Sequence, residues 1–187
     1  MEPESPALVR VGWGFISLYT LAYMSTCLVF LAPVLVTLAL KVNSLVGIAK
    51  APNSLALVTS VGALLSIVGN PFFGRMSDRT SSSFGMRRPW MLIGLVGGSV
   101  GILIVALAPN IGVVLLGWCI AQLMFNALLA SLVAVLPDQV PVAQRGAVSG
   151  VLGICLPLAS VSGTFIVQLF AGNHGTEKLA FRVTKHQ

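Results

Sequence analysis

Five long apolar stretches without a charged side chain constrain this chain more than any other feature. A helix needs about 20 apolar residues to cross the roughly 30 Å of hydrocarbon in a bilayer. Hydrophobic residues make up 56% of the chain and charged residues 9%, with a mean hydropathy of +0.95, which leaves too little polar surface to cover a water-soluble globule. We therefore predict an all-α membrane protein embedded in a lipid bilayer, with spans at about residues 12–40, 52–73, 90–108, 111–136 and 147–171.

The connections between the spans carry helix breakers and most of the charge. The third and fourth spans are joined only by Pro109 and Asn110, which predicts an antiparallel hairpin. The first span is too long to cross upright, so we expect it to tilt or to bend at Pro33, which removes a backbone hydrogen bond. Pro157 is expected to do the same in the fifth span.

The basic residues predict the orientation of the chain. With a cytoplasmic N-terminus, the inner connections hold six arginines, and the outer ones before the tail hold only Lys41 and Lys50. This bias satisfies the positive-inside rule and predicts a multi-pass plasma membrane protein. The net charge of +6 is spread over short connections without an extended basic face, so a nucleic acid partner is not expected.

Glycines in two spans predict close helix packing. In the third span, Gly94, Gly97, Gly98 and Gly101 form two overlapping GxxxG pairs, which let another helix approach closely. Gly150 and Gly153 give the fifth span a similar small face. We expect packing within the chain rather than a dedicated dimer contact.

The connection GRMSDRTSSSFGMRRP, residues 74–89, contains the most informative charges. Its aspartate, Asp78, can bond nearby arginines or cap a helix N-terminus. Its arginines can supply charge-assisted hydrogen bonds, although they also fix the topology.

This pattern resembles the loop between the second and third helices of the major facilitator superfamily, in which it latches the two halves of the transporter in the outward-open state. The long gap before the second glycine, with SDRT before it and RRP after it, resembles the sugar:cation symporter branch that includes sucrose transporters and glycoside-pentoside-hexuronide carriers. Met86 departs from that branch, which usually has an arginine there. The resemblance implies a cytoplasmic gating loop formed by Gly74, Asp78, Arg79, Gly85, Arg87 and Arg88.

A second connection, LPDQVPVAQRGAVSG at residues 136–150, is similar to the fourth-to-fifth helix loop of the same carriers. Its candidate residues are Asp138, Arg145 and Gly146. Asp138 and Arg145 could form a second cytoplasmic pair or be separately solvated.

The resemblance covers residues 11–171, which correspond to the first five helices of a twelve-helix transporter and to an incomplete six-helix bundle. It implies the N-terminal part of a secondary active transporter that moves a small solute, a sugar, together with a coupling cation. Alternating access needs two bundles that rock about a central site. We therefore expect the chain to require the missing C-terminal half or a partner chain for transport.

Uncharged polar side chains within the spans are the candidates for a substrate pathway. Four-residue spacing places Tyr19 over Tyr23 and Gln122 over Asn126 on one helix face each, and Gln168 lies in the fifth span. These groups could bond sugar hydroxyls, or they could form interhelical hydrogen bonds that only pack the bundle.

Enzyme, metal and cofactor chemistry is not predicted. Cys27, Cys119 and Cys155 lie within apolar stretches without a CxxC pair, and the sequence has no HExxH, GxSxG or phosphate-binding glycine loop. Since the spans contain no ionisable group near their centres, a coupling residue must be Asp78, Asp138 or part of a missing segment. The alternative function is a non-transporting membrane scaffold or assembly subunit.

The last residues, 172–187, differ sharply in composition from the rest of the chain. The segment carries four charged residues and is too polar to span a membrane. We expect a disordered polar tail or the product of a truncation.

Overall fold

A computed structural model describes the backbone of residues 10–32, 37–80 and 85–183, and the side chains of residues 10–31, 37–80 and 85–165. The described residues form six helices: α1 (Trp13–Ala32), α2 (Ala39–Val46), α3 (Ala51–Asp78), α4 (Arg88–Leu107), α5 (Ile111–Gln139) and α6 (Val142–Val183). All except α2 contain a segment long and apolar enough to cross a membrane. The predicted all-α membrane fold with five spans is confirmed.

The first predicted span, 12–40, differs from the structure. Its helix α1 has 20 residues, ending at Ala32, and a separate eight-residue helix, α2, begins at Ala39. The predicted bend at Pro33 lies outside the described residues. Buried Val42 of α2 packs with Val58 of α3 in one core cluster, so α2 lies against the end of the bundle where α3 begins.

Helices α3, α5 and α6 extend beyond the apolar runs that predicted them. Helix α3 continues past residue 73 to Asp78, and α5 continues past residue 136 to Gln139. Helix α6 begins five residues before the predicted 147, at Val142. An apolar run reports only the part of a helix that lies in hydrocarbon, whereas backbone hydrogen bonding can continue into the polar interface.

The C-terminal segment is also helical where it is described. Helix α6 continues to Val183 and so includes residues 172–183 of the predicted polar tail. Alanine, leucine, lysine, glutamate and arginine in this segment are good helix formers, so a polar composition ends the span without ending the helix. The last four residues lie outside the described part.

Helix α5 is the centre of the bundle, between α3 and α4. A Cβ atom added at Gly101 of α4 would lie 2.5 Å from the backbone nitrogen of Ala121 on α5, and one at Gly94 would lie 2.6 Å from that of Leu128. The predicted close packing through the glycines of the third span is therefore confirmed within the chain. At Gly150 and Gly153 of α6, in contrast, an added Cβ atom would meet nothing within 4 Å among the described atoms.

Helix α1 packs mainly on α6 and reaches α5 at one end. Tyr19 of α1 shares a core cluster with Leu132 of α5 and Leu152 of α6. At the start of both helices, the side-chain amide of Gln144 accepts a 2.8 Å hydrogen bond from the Val11 backbone N–H. This contact places the start of α1 at the same end of the bundle as the start of α6.

Candidate gating site

Three charged residues from three helices meet at one end of the bundle. Nη1 of Arg87 lies 2.5 Å from Oδ1 of Asp78, and Nε of the same guanidinium donates a 2.9 Å hydrogen bond to Oδ2 of Asp138. Asp78 is the last residue of α3, Asp138 lies in the last turn of α5, and Arg87 is the N-cap residue of α4. One arginine therefore connects the ends of α3 and α5 to the start of α4.

The three side chains differ in solvent exposure, and therefore the two ion pairs differ in strength. The Arg87 side chain is 11% exposed, that of Asp138 is 30% exposed, and that of Asp78 is 58% exposed. An exposed ion pair contributes about 0–1 kcal/mol, whereas a hydrogen bond to a charged group that is shielded from water contributes roughly 1.5–3 kcal/mol. The Arg87–Asp138 contact is thus the firmer one, and the Arg87–Asp78 contact can break at little cost.

A buried serine pair lies beneath the cluster. Nη1 of Arg87 also donates to Oγ of Ser77 at 3.1 Å, and the Ser131 hydroxyl lies 3.5 Å from the same oxygen. Both serines are fully buried. Sequence reasoning missed them because a single uncharged serine in a helix carries no distinguishing spacing.

The pKa of Arg87 reflects two opposed effects. Burial alone would lower it, but hydrogen bonds and the negative charges of Asp138 and Asp78 outweigh burial, so the pKa is raised above its ordinary value. Below its pKa the guanidinium keeps its proton, and an arginine is already protonated throughout the physiological range. A raised pKa strengthens this preference for the charged form. The charge of Arg87 is therefore permanent.

Gly85 shapes the chain immediately before this arginine. Its φ is +97°, which lies in a region that L side chains rarely adopt, so the predicted second glycine of the loop has a steric reason. Trp90, in the first turn of α4, donates from Nε1 to Oγ1 of Thr80 at 2.8 Å, and its ring lies 5.9 Å from that of Phe73. These contacts fix the start of α4 against the end of α3.

The remaining residues of the predicted loop do not join the cluster. Gly74 lies in α3, and a Cβ atom there would meet nothing within 4 Å. Arg79 is the exposed C-cap residue of α3, and Arg88 is the first residue of α4. Arg88 borders, with Arg87 and Asp138, a cavity with a volume of about 710 Å³.

The second predicted loop is mostly helical, and its proposed charge pair is absent from the described residues. Arg145 donates from Nε to the Val140 carbonyl at 2.9 Å and from Nη2 to the Pro137 carbonyl at 2.8 Å. It therefore caps the C-terminus of α5, while Asp138 binds Arg87 instead. A Cβ atom at Gly146, in the first turn of α6, would meet nothing within 4 Å.

The candidate pathway residues fall into two groups that the structure does not bring together. The Tyr19 hydroxyl donates to the Leu132 carbonyl at 2.9 Å, and Tyr23 packs half-buried beside the same cluster. On α5, Nδ2 of Asn126 donates to Oγ of Ser66 on α3 at 2.9 Å. Tyr19 and Asn126 therefore bond neighbouring helices, as the packing interpretation expects.

The other members of these groups are less constrained. Gln122 is 8% exposed, and its backbone carbonyl accepts a 2.7 Å hydrogen bond from Asn126. Gln168 lies in α6 beyond the last described side chain, so its surroundings are not described. Within the described part of the chain, no three histidine, cysteine or acidic side chains are arranged to hold a metal ion.

Comparison with known proteins places these features in a family. The model of the Major Facilitator Superfamily matches residues 14–184. The tetracycline resistance protein, class B, of Escherichia coli is 31% identical over 120 residues, which cover 64% of this chain and 28% of that protein. No solved structure matches the chain significantly.

The family match includes the five spans and all three charged residues of the cluster, Asp78, Arg87 and Asp138. The chain corresponds to little more than a quarter of the length of the curated relative it matches. The resemblance predicted from the two connections is confirmed at the level of the superfamily: the chain belongs to the Major Facilitator Superfamily.

Proposed function

We propose that the chain is the N-terminal part of a secondary active transporter, in which Arg87, Asp78 and Asp138 form a gate that opens and closes during alternating access. The observation that carries the proposal is the single arginine shared by the ends of three helices. Family membership supports transport in general, and the charge cluster supports the role of this end of the bundle.

The two ion pairs have different roles in this proposal. Arg87 and Asp138 stay paired and hold α4 against α5, since Arg87 is nearly buried and bonds Ser77 as well. Asp78 is the switching member, because its carboxylate is more than half exposed. Gly74, one turn before it, has open space around it, so a second bundle can approach α3 closely there.

A second bundle is required in this proposal. Five spans make less than one six-helix bundle, and alternating access needs two bundles. We propose that further helices, from the same protein or from a partner chain, complete the pathway. The arginine bias further supports a cytoplasmic N-terminus in the plasma membrane.

The substrate is proposed to be a small organic solute, and two classes have separate support. The resemblance of the SDRT and RRP segments to the sugar:cation symporter branch favours a sugar with a coupling cation. The similarity to a tetracycline resistance protein favours tetracycline as the alternative. Among the four candidates described, Tyr23 and Gln122 are proposed to line the pathway, because Tyr19 and Asn126 already form hydrogen bonds between helices.

The test is a flux assay in proteoliposomes containing the native gene product. Radiolabelled sugars and tetracycline would be offered with and without imposed proton and sodium gradients, with protein-free vesicles as the control. We expect gradient-dependent flux of one of the two classes. Absence of flux for both classes, from protein shown to be folded and inserted, would contradict the proposal.

A scaffold remains the alternative because α6 has an exposed face at Gly150 and Gly153 on which another helix could pack. A scaffold has no need for the exchange of partners at Asp78. Replacing Asp78 by Asn would then leave both partner binding and any associated flux unchanged.

A further inference from the structure

A groove on the outer side of α3 combines two arginines with exposed apolar side chains. Arg75 and Arg79 lie one turn apart, so they occupy the same helix face. Val68, Phe72 and Met76 border the groove with them and are 68%, 57% and 37% exposed. The groove has a volume of about 550 Å³, which is large enough for part of a lipid molecule.

The face that carries the groove points away from the bundle. Arg75 lies two residues from both Phe73 and Ser77, which are buried against the rest of the bundle. Two residues correspond to about 200° around an α-helix, so the arginine is on the opposite side. In a membrane protein, an outward apolar helix face meets lipid unless other protein covers it.

The positive charge of the groove is not compensated by the described residues. Asp78 lies between the two arginines in sequence, but its carboxylate binds Arg87. Among the described residues, Arg87 is the basic partner in both ion pairs. Arg75 and Arg79 therefore present two cations near the end of a candidate membrane span, Ala51–Asp78, where lipid headgroups are expected.

We propose that this groove binds an anionic phospholipid. The lipid phosphate would accept hydrogen bonds from both guanidinium groups, which match phosphate geometry better than ammonium groups do. An acyl chain would lie along Phe72 and Val68, toward the membrane centre. This site requires only that α3 spans the bilayer, so it does not depend on transport or on the gate.

Charge and apolar surface together distinguish a lipid from other ligands. A free phosphate ion would use the arginines but gain nothing from Val68, Phe72 and Met76. A second copy of this chain is not favoured, since it would bring the same two positive charges near a positively charged surface. An anionic lipid satisfies both parts of the groove at once.

The experiment measures lipid affinity by titrating the purified chain in detergent with phosphatidylglycerol. Native mass spectrometry then reports the fraction of the protein that retains a bound lipid. Phosphatidylcholine and inorganic phosphate are titrated separately. The test variant is Arg75→Gln with Arg79→Gln, and the matched control is Arg10→Gln with Lys50→Gln, which removes the same charge from exposed positions elsewhere. Circular dichroism and size-exclusion profiles establish that all variants keep the fold.

We expect the test variant to bind phosphatidylglycerol roughly thirtyfold more weakly, from about 1 kcal/mol per basic residue. The control should change by less than about twofold, since its basic residues lie elsewhere. A variant with lysine at both positions should fall between them, because it keeps the charge but loses the guanidinium geometry.

Four results would overturn the proposal. Equal weakening in the test and control variants would show a general effect of surface charge. Equal affinity for phosphatidylcholine, or displacement of the lipid by stoichiometric phosphate, would remove the anionic lipid as the ligand. Failure to bind phosphatidylglycerol while the chain dimerises through this face, shown by cross-linking at Phe72→Cys, would assign the groove to a second copy.

Discussion

At the scale of single residues, Arg87 has the most constrained role in the charged cluster. Its Nε and Nη1 groups bind different carboxylates on different helices, and Nη1 also bonds Ser77. A planar guanidinium with several fixed donors can make these contacts together, whereas a lysine ammonium is a single point charge. The residue type follows from the geometry as well as from the charge.

Replacing Arg87 by Lys is therefore expected to destabilise the protein although the charge is kept. We expect a loss of about 1–2 kcal/mol, since at least one charge-assisted hydrogen bond is removed. Thermal unfolding followed by size-exclusion chromatography would show this as a midpoint lower by a few degrees. The control is Arg10→Lys at an exposed position, and equal midpoints for both variants would contradict the geometry.

Substitutions at Tyr19 and Tyr23 can distinguish a role in helix packing from a role in the substrate pathway. Because the Tyr19 hydroxyl donates to the Leu132 carbonyl, Tyr19→Phe should cost about 0.5–1.5 kcal/mol of stability. Tyr23→Phe should leave stability nearly unchanged and weaken solute binding instead. The comparison uses unfolding midpoints and solute affinity for both variants; a stability loss in Tyr23→Phe equal to that in Tyr19→Phe would contradict the assignment.

At the scale of helices, the closest packing is that of α4 on α5. Gly101 is opposite the backbone of Ala121, and an added Cβ atom would lie 2.5 Å from its nitrogen. Backbone cannot move aside as a flexible side chain can, so any side chain at this position must separate the two helices. Here the glycine pattern in the sequence predicted the packing correctly.

Gly101→Ala should accordingly destabilise the bundle by about 1–3 kcal/mol, the range for overpacking. Gly150→Ala is the matched control, since a Cβ atom there meets nothing within 4 Å among the described atoms and alanine favours a helix. The measurement is the unfolding midpoint of each variant in detergent. A smaller loss for Gly101→Ala than for Gly150→Ala would show that α4 and α5 are not in close contact.

The sequence predicted the number of membrane spans and their helical type because apolar length is a direct requirement of the bilayer, but it did not predict the short helix α2. It did not predict where the helices end, since Asp78 and Asp138 are polar but remain in α3 and α5. The pairing of Asp138 was also missed. Arg145 is only seven residues away in the chain, whereas Arg87 is 51 residues away and is brought near only by the packing of α4 on α5.

At the scale of the whole molecule, the charged cluster lies next to the exposed face of α3. Arg87 and Asp138 bind at the end of the described bundle, and Asp78 and Gly74 lie where α3 is exposed. In the proposed gate, the Arg87–Asp138 contact stays firm within the bundle, and the Arg87–Asp78 contact breaks as two bundles rock between states. The different exposure of the two aspartates supports this proposed division of roles.

The most direct test compares Asp78→Asn with Asp138→Asn in the native gene product, by solute flux in proteoliposomes and by unfolding midpoint. Loss of about 1 kcal/mol at the exposed pair should shift the balance of states about fivefold and reduce flux for Asp78→Asn, with a smaller change in the midpoint than for Asp138→Asn. Asp78→Glu should restore flux, whereas Asp138→Asn should lower the midpoint. Wild-type flux in Asp78→Asn, or equal loss of stability in both variants, would contradict Asp78 as the switching member of the gate.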